Sequence, residues 1–241
     1  MTGVLPRPSD PDQRAGLRLA LLGAGFLALA LLFLPLAVLV RDQWSPLAHL
    51  DTSVEGSAHR LVTDHHWLAT AAKVLTWLGA PVLLEVASAV IVVVLLVLHR
   101  QRGALFLAVS VIGAYTLSTT GKFVVNRARP TFPDPISHAT GAAFPSGHAT
   151  GSAAFYLALA VLLLPLVRRS RRPWLWVMAT VIPVIVAATR VLLGVHYPTD
   201  VVAGLLIGWG WVAACVASFS AWRAEEGRPA PVLEEGVEPA S

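Results

Sequence analysis

The chain has 241 residues, of which 56% are hydrophobic and only 13% are charged. A soluble domain averages about 25% charged residues, so this composition excludes an ordinary soluble protein and favours a polytopic membrane protein. The formal net charge of +4 would suit a nucleic-acid partner, but Lys and Arg cluster between apolar runs, where they set membrane orientation. We therefore expect no nucleic-acid binding.

Six apolar runs are long enough to predict transmembrane helices. Residues 1–16 carry three prolines among polar residues and predict a disordered tail, as do residues 223–241, which are rich in Glu and Pro. The predicted spans are residues 17–40, 81–98, 104–125, 147–167, 174–193 and 201–222. The predicted fold is therefore all-α, with one domain at residues 17–222 formed by a bundle of six transmembrane helices.

The segment between the first two spans, residues 41–77, is mixed in polarity. An unbroken helix from residue 66 to residue 98 would be about 50 Å long, well beyond a hydrocarbon core of about 30 Å. Gly79 and Pro81 predict a break at this point. We expect the preceding segment to lie on the outer surface as an amphipathic element.

Lys and Arg are divided unevenly between the two sides of the predicted bundle. Of the 18 Lys and Arg residues, eleven lie on the side of the termini and seven on the other side. The positive-inside rule then places both termini in the cytoplasm. Three polar motifs fall on the opposite, extracytoplasmic face. The first motif is Lys122, Arg129 and Pro130; the second is Pro145-Ser146-Gly147-His148; the third is Arg190, His196 and Asp200.

The second motif opens the fourth predicted span. Ser146 is a favourable N-cap, Gly147 lets backbone N–H groups approach a ligand closely, and the positive end of the helix dipole favours an anion. An ordinary capped helix would explain Pro-Ser-Gly alone. His148 adds a titratable group beside the proposed anion site, where an imidazolium can protonate a leaving oxygen.

The third motif joins the fifth and sixth spans. Pro198 suits the first turn of a helix, and Asp200 in that turn can reach back to His196. A carboxylate on one ring nitrogen leaves the other nitrogen free to attack, which is the general arrangement of an activated nucleophile. A lone His at a helix end is usually structural, but here Asp200 and Arg190 accompany it.

Lys122, Arg129 and Arg190 are candidate donors to a phosphoryl group, whose transition state spreads charge over three oxygens. An alternative is that such residues anchor helix ends at the membrane interface, which is our interpretation of Arg41, Arg60 and Arg127. The acidic residues near the motifs are too few and too scattered for a metal cage, so we expect metal-independent turnover without a cofactor. Gly204 and Gly208 predict close helix packing in the last span.

The three motifs together resemble the signature of the type 2 phosphatidic acid phosphatase family, which shares its active site with vanadium-dependent haloperoxidases and glucose-6-phosphatase. One departure is Thr189, where the family usually has Ser. The resemblance implies that His196 is the nucleophile, that Asp200 orients it and that His148 protonates the leaving group. It also implies that the phosphate is held by Lys122, Arg129, Ser146, Gly147 and Arg190.

The expected function is hydrolysis of a lipid phosphate or diphosphate through a phosphohistidine at the extracytoplasmic surface. The family implies undecaprenyl diphosphate as the first candidate substrate, followed by phosphatidylglycerophosphate or phosphatidic acid. A lipid phosphotransferase would use the same site with an acceptor other than water. A transporter with a cationic anion site would predict repeated halves, and the sequence shows no internal repeat.

Overall fold

The computed structural model describes the backbone of residues 11–225 and the side chains of residue 20 and residues 23–219. This part of the chain contains helices and loops and no strand, which confirms the predicted all-α class. The α-helices are α1 (Pro11–Arg41), α2 (Ser45–Asp64), α3 (His66–Leu75), α4 (Pro81–Val97), α5 (Gln101–Val125), α6 (Gly147–Leu163), α7 (Arg172–Leu192) and α8 (Pro198–Glu225). Short 3₁₀ segments at Thr76–Gly79 and Arg169–Arg171 precede α4 and α7.

The six predicted spans correspond to α1 and to α4 through α8. In the part of the chain that the structure describes, five segments are long and apolar enough to cross a membrane: Gly23–Arg41, His66–Val97, Gln101–Val125, Arg169–Leu192 and Pro198–Phe219. The sixth helix, α6, has 17 residues and is shorter than predicted, because Pro165 has no N–H with which to continue the helical hydrogen bonds. The multi-pass helical bundle is confirmed, with α6 as its shortest member.

The predicted terminal tails are only partly within the described residues. The helix α1 already begins at Pro11, so residues 11–16 are helical rather than part of a tail. Proline is favoured at the first helical position, where its missing N–H removes no hydrogen bond. The helix α8 continues to Glu225, past the predicted end at residue 222. Residues 1–10 and 226–241 lie outside the described part of the chain.

The break predicted at Gly79 and Pro81 is confirmed. The 3₁₀ turn ends at Gly79, Ala80 is extended with ψ 123°, and Pro81 starts α4. A Cβ atom on Gly79 would collide with the side chain of Val186 on α7. The glycine therefore permits both the bend and the close approach of this turn to α7.

The helix α6 lies at the centre of the bundle, where it packs against α5, α7 and α8. Small side chains make this possible: a Cβ atom on Gly204 of α8 would lie 2.7 Å from the carbonyl oxygen of Ser146, and one on Gly208 would lie 2.5 Å from Cβ of Ala153. These contacts confirm the predicted close packing, and they bring the start of α8 against the start of α6.

Large apolar side chains lie on the outside of the bundle, opposite to the pattern of a soluble protein. Leu31, Leu32, Val93, Val97 and Ile112 are each more than half exposed. The buried side of α6 instead carries small residues such as Ala153, Ala154 and Ala158. This arrangement suits a protein whose helices are surrounded by lipid chains.

The three polar motifs meet at one end of the bundle, as predicted. The loop of residues 126–146 leaves α5 through Asn126, whose φ of +47° turns the chain back, and its end returns through a hydrogen bond from Ala143 N to Arg127 O. The amide of Ser146 then donates to the carbonyl oxygen of Asp200 at 2.9 Å. This bond joins the second motif directly to the third.

Candidate active site

The turn between α7 and α8 carries the third motif. Gly194, with φ +71°, ends α7 in the left-handed conformation that glycine adopts without steric cost. Pro198 starts α8, and the carboxylate of Asp200 in its first turn accepts the amide of Tyr197 at 2.9 Å, as the acidic residue does in a capping box. These two constraints hold His196 between the helices with only 2% of its surface exposed.

The two ring nitrogens of His196 face groups of opposite kinds. Nε2 lies 3.1 Å from Nη1 of Arg129, and because a guanidinium can only donate, Nε2 must be the acceptor. The ring proton of the neutral imidazole is then on Nδ1, which lies 3.4 Å from Oδ2 of Asp200. This distance is longer than that of a well-formed hydrogen bond. Among the described residues, the buried Nδ1 has no partner that meets the geometry of a hydrogen bond. The predicted His–Asp pair is therefore present as a close approach, with the tautomer that it requires.

Burial lowers the pKa of His196 to about 4, because desolvation disfavours the imidazolium. The contact with Asp200 and its negative charge oppose this shift, whereas the positive charges of Arg129 and Arg190 reinforce it. The imidazole is therefore neutral near pH 7. Its Nε2 lone pair is available to an electrophile, which is the condition for a histidine nucleophile.

The first motif supplies two cations that backbone carbonyls hold in place. Arg129 donates to the carbonyl oxygens of Gly141 at 3.0 Å, Thr140 at 3.1 Å and Val195 at 2.7 Å. Lys122 donates from Nζ to the carbonyl oxygen of Ala142 at 2.8 Å. Neutral oxygens orient both cations without neutralising them. Both therefore remain available to a bound anion.

The second motif is built differently from the prediction in one respect. The amide of Ser146 already donates to Asp200, so it is not free for an anion, and its side chain forms no N-cap hydrogen bond. Its hydroxyl is instead buried without a hydrogen-bond partner among the described residues. A Cβ atom on Gly147 would meet no atom within 4 Å, so protein packing does not require glycine there. Open space at Gly147 beside an unpaired hydroxyl fits a cradle for a ligand.

Arg190 and His148 complete the predicted set. Arg190, on α7, is 7% exposed, and its Nη1 donates to Oγ1 of Thr76 at 3.1 Å. Its Nε has no hydrogen-bond partner in the described part of the chain. His148 lies within electrostatic range of Arg190, His196, Arg129 and Lys122. The departure at Thr189 has little consequence for the site, since its hydroxyl bonds within α7 to the carbonyl of Val186.

All eight predicted site residues thus lie at one end of the bundle, and they form a cationic cluster around a neutral histidine. Unpaired donors within it, the hydroxyl of Ser146 and Nε of Arg190, are buried, and buried donors without partners are rare unless a ligand or water completes them. An anion with several oxygens, such as a phosphoryl group, matches this set of donors. Within the described residues, no group of three or more His, Cys, Asp or Glu side chains is placed to hold a metal ion.

Two charged residues at the site were missed by the sequence analysis. Arg127 is not an interfacial anchor as predicted: its guanidinium donates to Asp200 at 2.8 Å and to Asp51 at 2.7 Å. Asp51, on α2, is fully buried. A signal was available in the sequence, since Arg127 lies two residues before Arg129 within the first motif. No local pattern, however, pairs Asp51 with a motif so distant in the chain.

Comparison with known proteins agrees with these observations. The family model described as the PAP2 superfamily matches residues 103–224, which is just over half of the chain and contains all three motifs. The chain belongs to the PAP2 superfamily. The resemblance inferred from the motifs is therefore confirmed.

Three curated proteins with sequence similarity to this chain are named as phosphatases. Phosphatidylglycerophosphatase B of Bacillus subtilis (strain 168) is 38% identical over 87 residues, covering 35% of this chain and 42% of that protein. Lipid A 1-phosphatase of Rhizobium etli is 36% identical over 129 residues, covering 46% and 51%. Undecaprenyl-diphosphatase of Sulfolobus acidocaldarius is 31% identical over 129 residues, covering 49% and 56%. The chain thus matches about half the length of these relatives.

A solved PAP2 structure extends the similarity to the fold. The crystal structure of a transmembrane PAP2-type phosphatidylglycerolphosphate phosphatase from Bacillus subtilis superimposes with a TM-score of 0.71 at 26% identity. The match covers 78% of this chain and 92% of that one. The helical bundle is therefore similar to that of a membrane PAP2 enzyme over most of its length.

Proposed function

We propose that this chain is a membrane-embedded, metal-independent phosphatase that hydrolyses a lipid phosphate or diphosphate through a phosphohistidine. The observation that carries the proposal is the neutral, buried imidazole of His196, whose Nε2 faces Arg129 and whose Nδ1 faces Asp200. The phosphatase names of the PAP2 relatives support the reaction class.

In the first step, Nε2 of His196 attacks phosphorus, a P–N bond forms and the P–O bond to the leaving group breaks. The negative charge of the bound phosphoryl group offsets the cations around His148 and favours its protonated form. His148 gives this proton to the departing oxygen, so the lipid leaves as an alcohol, or as a monophosphate if the substrate is a diphosphate. The positive charge that develops on the imidazole is stabilised by Asp200. Arg129 exchanges its contact with Nε2 for an oxygen of the phosphoryl group.

In the second step, His148, now neutral, removes a proton from water, and the water oxygen attacks phosphorus. The P–N bond breaks, inorganic phosphate is released and His196 returns to its starting state. Lys122, Arg129 and Arg190 stabilise the charge on the phosphoryl oxygens in both steps, together with the hydroxyl of Ser146 and the amide of Gly147. A phosphotransferase would differ only in the acceptor of this second step.

The proposed substrates are lipids because the site lies at the end of apolar helices whose outer surfaces suit hydrocarbon. A headgroup phosphate in the interface can reach such a site while its chains stay in the bilayer. The proposed candidates are undecaprenyl diphosphate first, then phosphatidylglycerophosphate and phosphatidic acid. The names of the relatives add the 1-phosphate of lipid A to the substrates worth testing.

We place the termini in the cytoplasm and the active site on the extracytoplasmic side, as the distribution of Lys and Arg favours. Cysteine labelling tests this orientation, after Cys215, the single cysteine of the sequence, has been replaced by Ser. New single cysteines are placed at the exposed residues Asp134 and Arg169. A membrane-impermeant thiol reagent added to intact cells should label the first position and spare the second. The reverse labelling pattern would contradict the proposed orientation.

Phosphate release from purified lipid phosphates and diphosphates tests the reaction. We expect turnover by the wild-type protein in the presence of a chelator, inhibition by vanadate and no turnover by His196→Ala. Asp134→Asn, which changes an exposed loop carboxylate, is the matched control and should keep normal activity. Phosphate release by a folded His196→Ala protein at the wild-type rate would overturn the proposal, and transfer to an added alcohol in place of release would identify a phosphotransferase.

A further inference from the structure

A buried clamp connects α2 to the catalytic pair. Arg127 donates from Nη1 to Oδ1 of Asp200 at 2.8 Å and from Nη2 to Oδ2 of Asp51 at 2.7 Å. The side chains of Asp51, Asp200 and Arg127 are 1%, 0% and 16% exposed. Charge-assisted hydrogen bonds between buried groups are short and directional, so one planar guanidinium sets the relative orientation of both carboxylates.

The clamp also holds the first turn of α8. Asp51 accepts the backbone amide of Thr199 at 3.0 Å and its hydroxyl at 2.6 Å. The hydroxyl oxygen of Thr199 in turn accepts a hydrogen bond from Arg127 at 2.7 Å. A carboxylate on the free amides of a helix N-terminus is a favourable cap, and here α2 supplies it from a distant part of the chain.

The consequence reaches His196 through the two oxygens of Asp200. Oδ1 accepts from Arg127, whereas Oδ2 accepts the amide of Tyr197 at 2.9 Å and is the oxygen that faces the ring. Without the bond to Arg127, the amide of Tyr197 alone would orient the carboxylate, through one of its two oxygens. The distance of 3.4 Å from Oδ2 to Nδ1 of His196 therefore depends on the clamp.

We propose that Arg127, held by Asp51, is a positioning residue that orients Asp200 and thereby the nucleophilic histidine. The inference rests on the proposed function of the same site. It makes α2 a part of the catalytic machinery, in addition to its place on the surface of the bundle. Neither Arg127 nor Asp51 touches the phosphoryl group in this scheme.

Charge balance gives the two clamp residues opposite effects on His196. The charged and titratable groups around this histidine are Asp200 of α8, Arg127 and Arg129 of the loop, Lys122 of α5, Arg190 of α7, His148 of α6, and Asp51 and Glu55 of α2. Loss of the Arg127 charge leaves two buried carboxylates without their counter-ion, which favours the imidazolium. Loss of the Asp51 charge leaves Arg127 less neutralised, which disfavours it.

The experiment compares Arg127→Gln, Arg127→Lys and Asp51→Asn in the full-length protein in detergent, with one lipid phosphate that the wild type hydrolyses. We expect Arg127→Gln to lower kcat by about 100-fold with little change in KM, since a misoriented group lowers the rate of the chemical step. Arg127→Lys should recover part of the loss, because an ammonium keeps the charge but cannot bridge both carboxylates as a planar fork does. The matched control is Arg60→Gln, which alters an exposed arginine of α2 whose side chain donates to the hydroxyl of Ser57 on the same helix.

The pH dependence of kcat/KM separates positioning from a general loss of structure. The nucleophile must be neutral, so activity falls as the pH drops through the pKa of His196. Arg127→Gln should move this acidic limb to higher pH, and Asp51→Asn should move it to lower pH. A general loosening of the fold has no reason to give shifts of opposite sign.

Each outcome decides the inference. Folded Arg127→Gln protein refutes it if either kcat is that of the wild type or the acidic limb does not move, whereas a lower kcat together with the expected shift supports it. If Arg127→Gln does not fold, the decision rests on Arg127→Lys, for which an unchanged kcat refutes the inference. His196→Ala is measured in parallel: activity in that variant removes the proposed function itself, whereas inactive His196→Ala beside fully active Arg127 variants removes only the clamp.

Discussion

Asp200→Asn is the most informative single substitution, because it keeps the shape of the side chain and changes only its charge and one acceptor. In the native structure both carboxylate oxygens accept hydrogen bonds, one from Arg127 and one from the amide of Tyr197. An amide has a single oxygen. Whichever way it is placed, its NH₂ group must therefore face a donor that the carboxylate had satisfied.

The orientation that keeps the bond to Arg127 has a specific effect on catalysis. Its NH₂ group then faces Nδ1 of His196 while Arg129 still donates to Nε2, and a neutral ring cannot accept at both nitrogens. If Nδ1 accepts from the amide, the ring proton moves to Nε2, breaks the bond from Arg129 and blocks the nucleophilic lone pair. The corresponding change of tautomer in a Ser-His-Asp triad lowers kcat by about 10⁴. We expect a loss of about 10³ to 10⁴ in kcat, or about 4 to 5.5 kcal/mol of activation free energy.

The same substitution should also lower stability. It exchanges the carboxylate that faces a partly buried guanidinium for a neutral amide or loses that bond, at a cost of up to about 1.5–3 kcal/mol, and leaves Arg127 with one carboxylate partner in place of two. The assay is phosphate release at saturating substrate, with thermal unfolding in detergent measured on the same preparation. Asp134→Asn serves as the control for a neutralised carboxylate. Folded Asp200→Asn protein with more than a tenth of the wild-type kcat would refute this assignment of the tautomer.

Three further predictions concern pH, metal ions and glycine. Because burial lowers the pKa of His196 to about 4, phosphohistidine formation should persist at pH 5 and fall only near pH 4, when it is measured after an alkaline denaturing quench that preserves the P–N bond; a loss near the ordinary imidazole value of about 6.5 would contradict it. Prolonged dialysis against a chelator should leave kcat unchanged, whereas loss of activity that Mg²⁺ or Zn²⁺ restores would exclude a metal-independent reaction. Gly208→Ala should lower the free energy of unfolding by about 1–3 kcal/mol, since its Cβ would lie 2.5 Å from Cβ of Ala153. Gly147→Ala should keep the wild-type free energy of unfolding but lower turnover at least about tenfold, because its methyl group enters open space in the proposed phosphate cradle. Equal stability of the two variants would contradict the packing argument.

The structure also changes the interpretation of the segment between α1 and α4. Its composition predicts an amphipathic element on the outer surface, and such an element normally buries an apolar face. The buried face of α2 instead includes Asp51 and Glu55, with Val62. Burial raises the pKa of the Glu55 carboxyl to about 7, which agrees with an acid enclosed by protein rather than by water. The polar face of α2 is therefore turned towards the active-site end of the bundle.

Patterns that are local in the chain were sufficient for most of the fold and for the centre of the site. Hydropathy locates membrane helices because each span must satisfy its own backbone hydrogen bonds, so the signal is contained within one segment. The pairing of His196 with Asp200 is local too, since it spans a single helical turn after Pro198. The convergence of the three motifs followed from counting spans, because alternate helix ends lie on the same side of a bundle.

What the sequence did not determine is which charged groups are neutralised and which are left for a ligand. Asp51 and Thr199 are 148 positions apart, and they meet only because the packing of α2 against α8 brings them together. That contact commits Arg127 to two carboxylates, while the partners of Arg129 and Lys122 among the described residues are neutral carbonyls and a ring nitrogen. Arg127 and Arg129 are the same residue type and lie two positions apart, so the local sequence does not distinguish their roles. Their roles differ because the partner of each charge is set by distances in space, which only the folded chain defines.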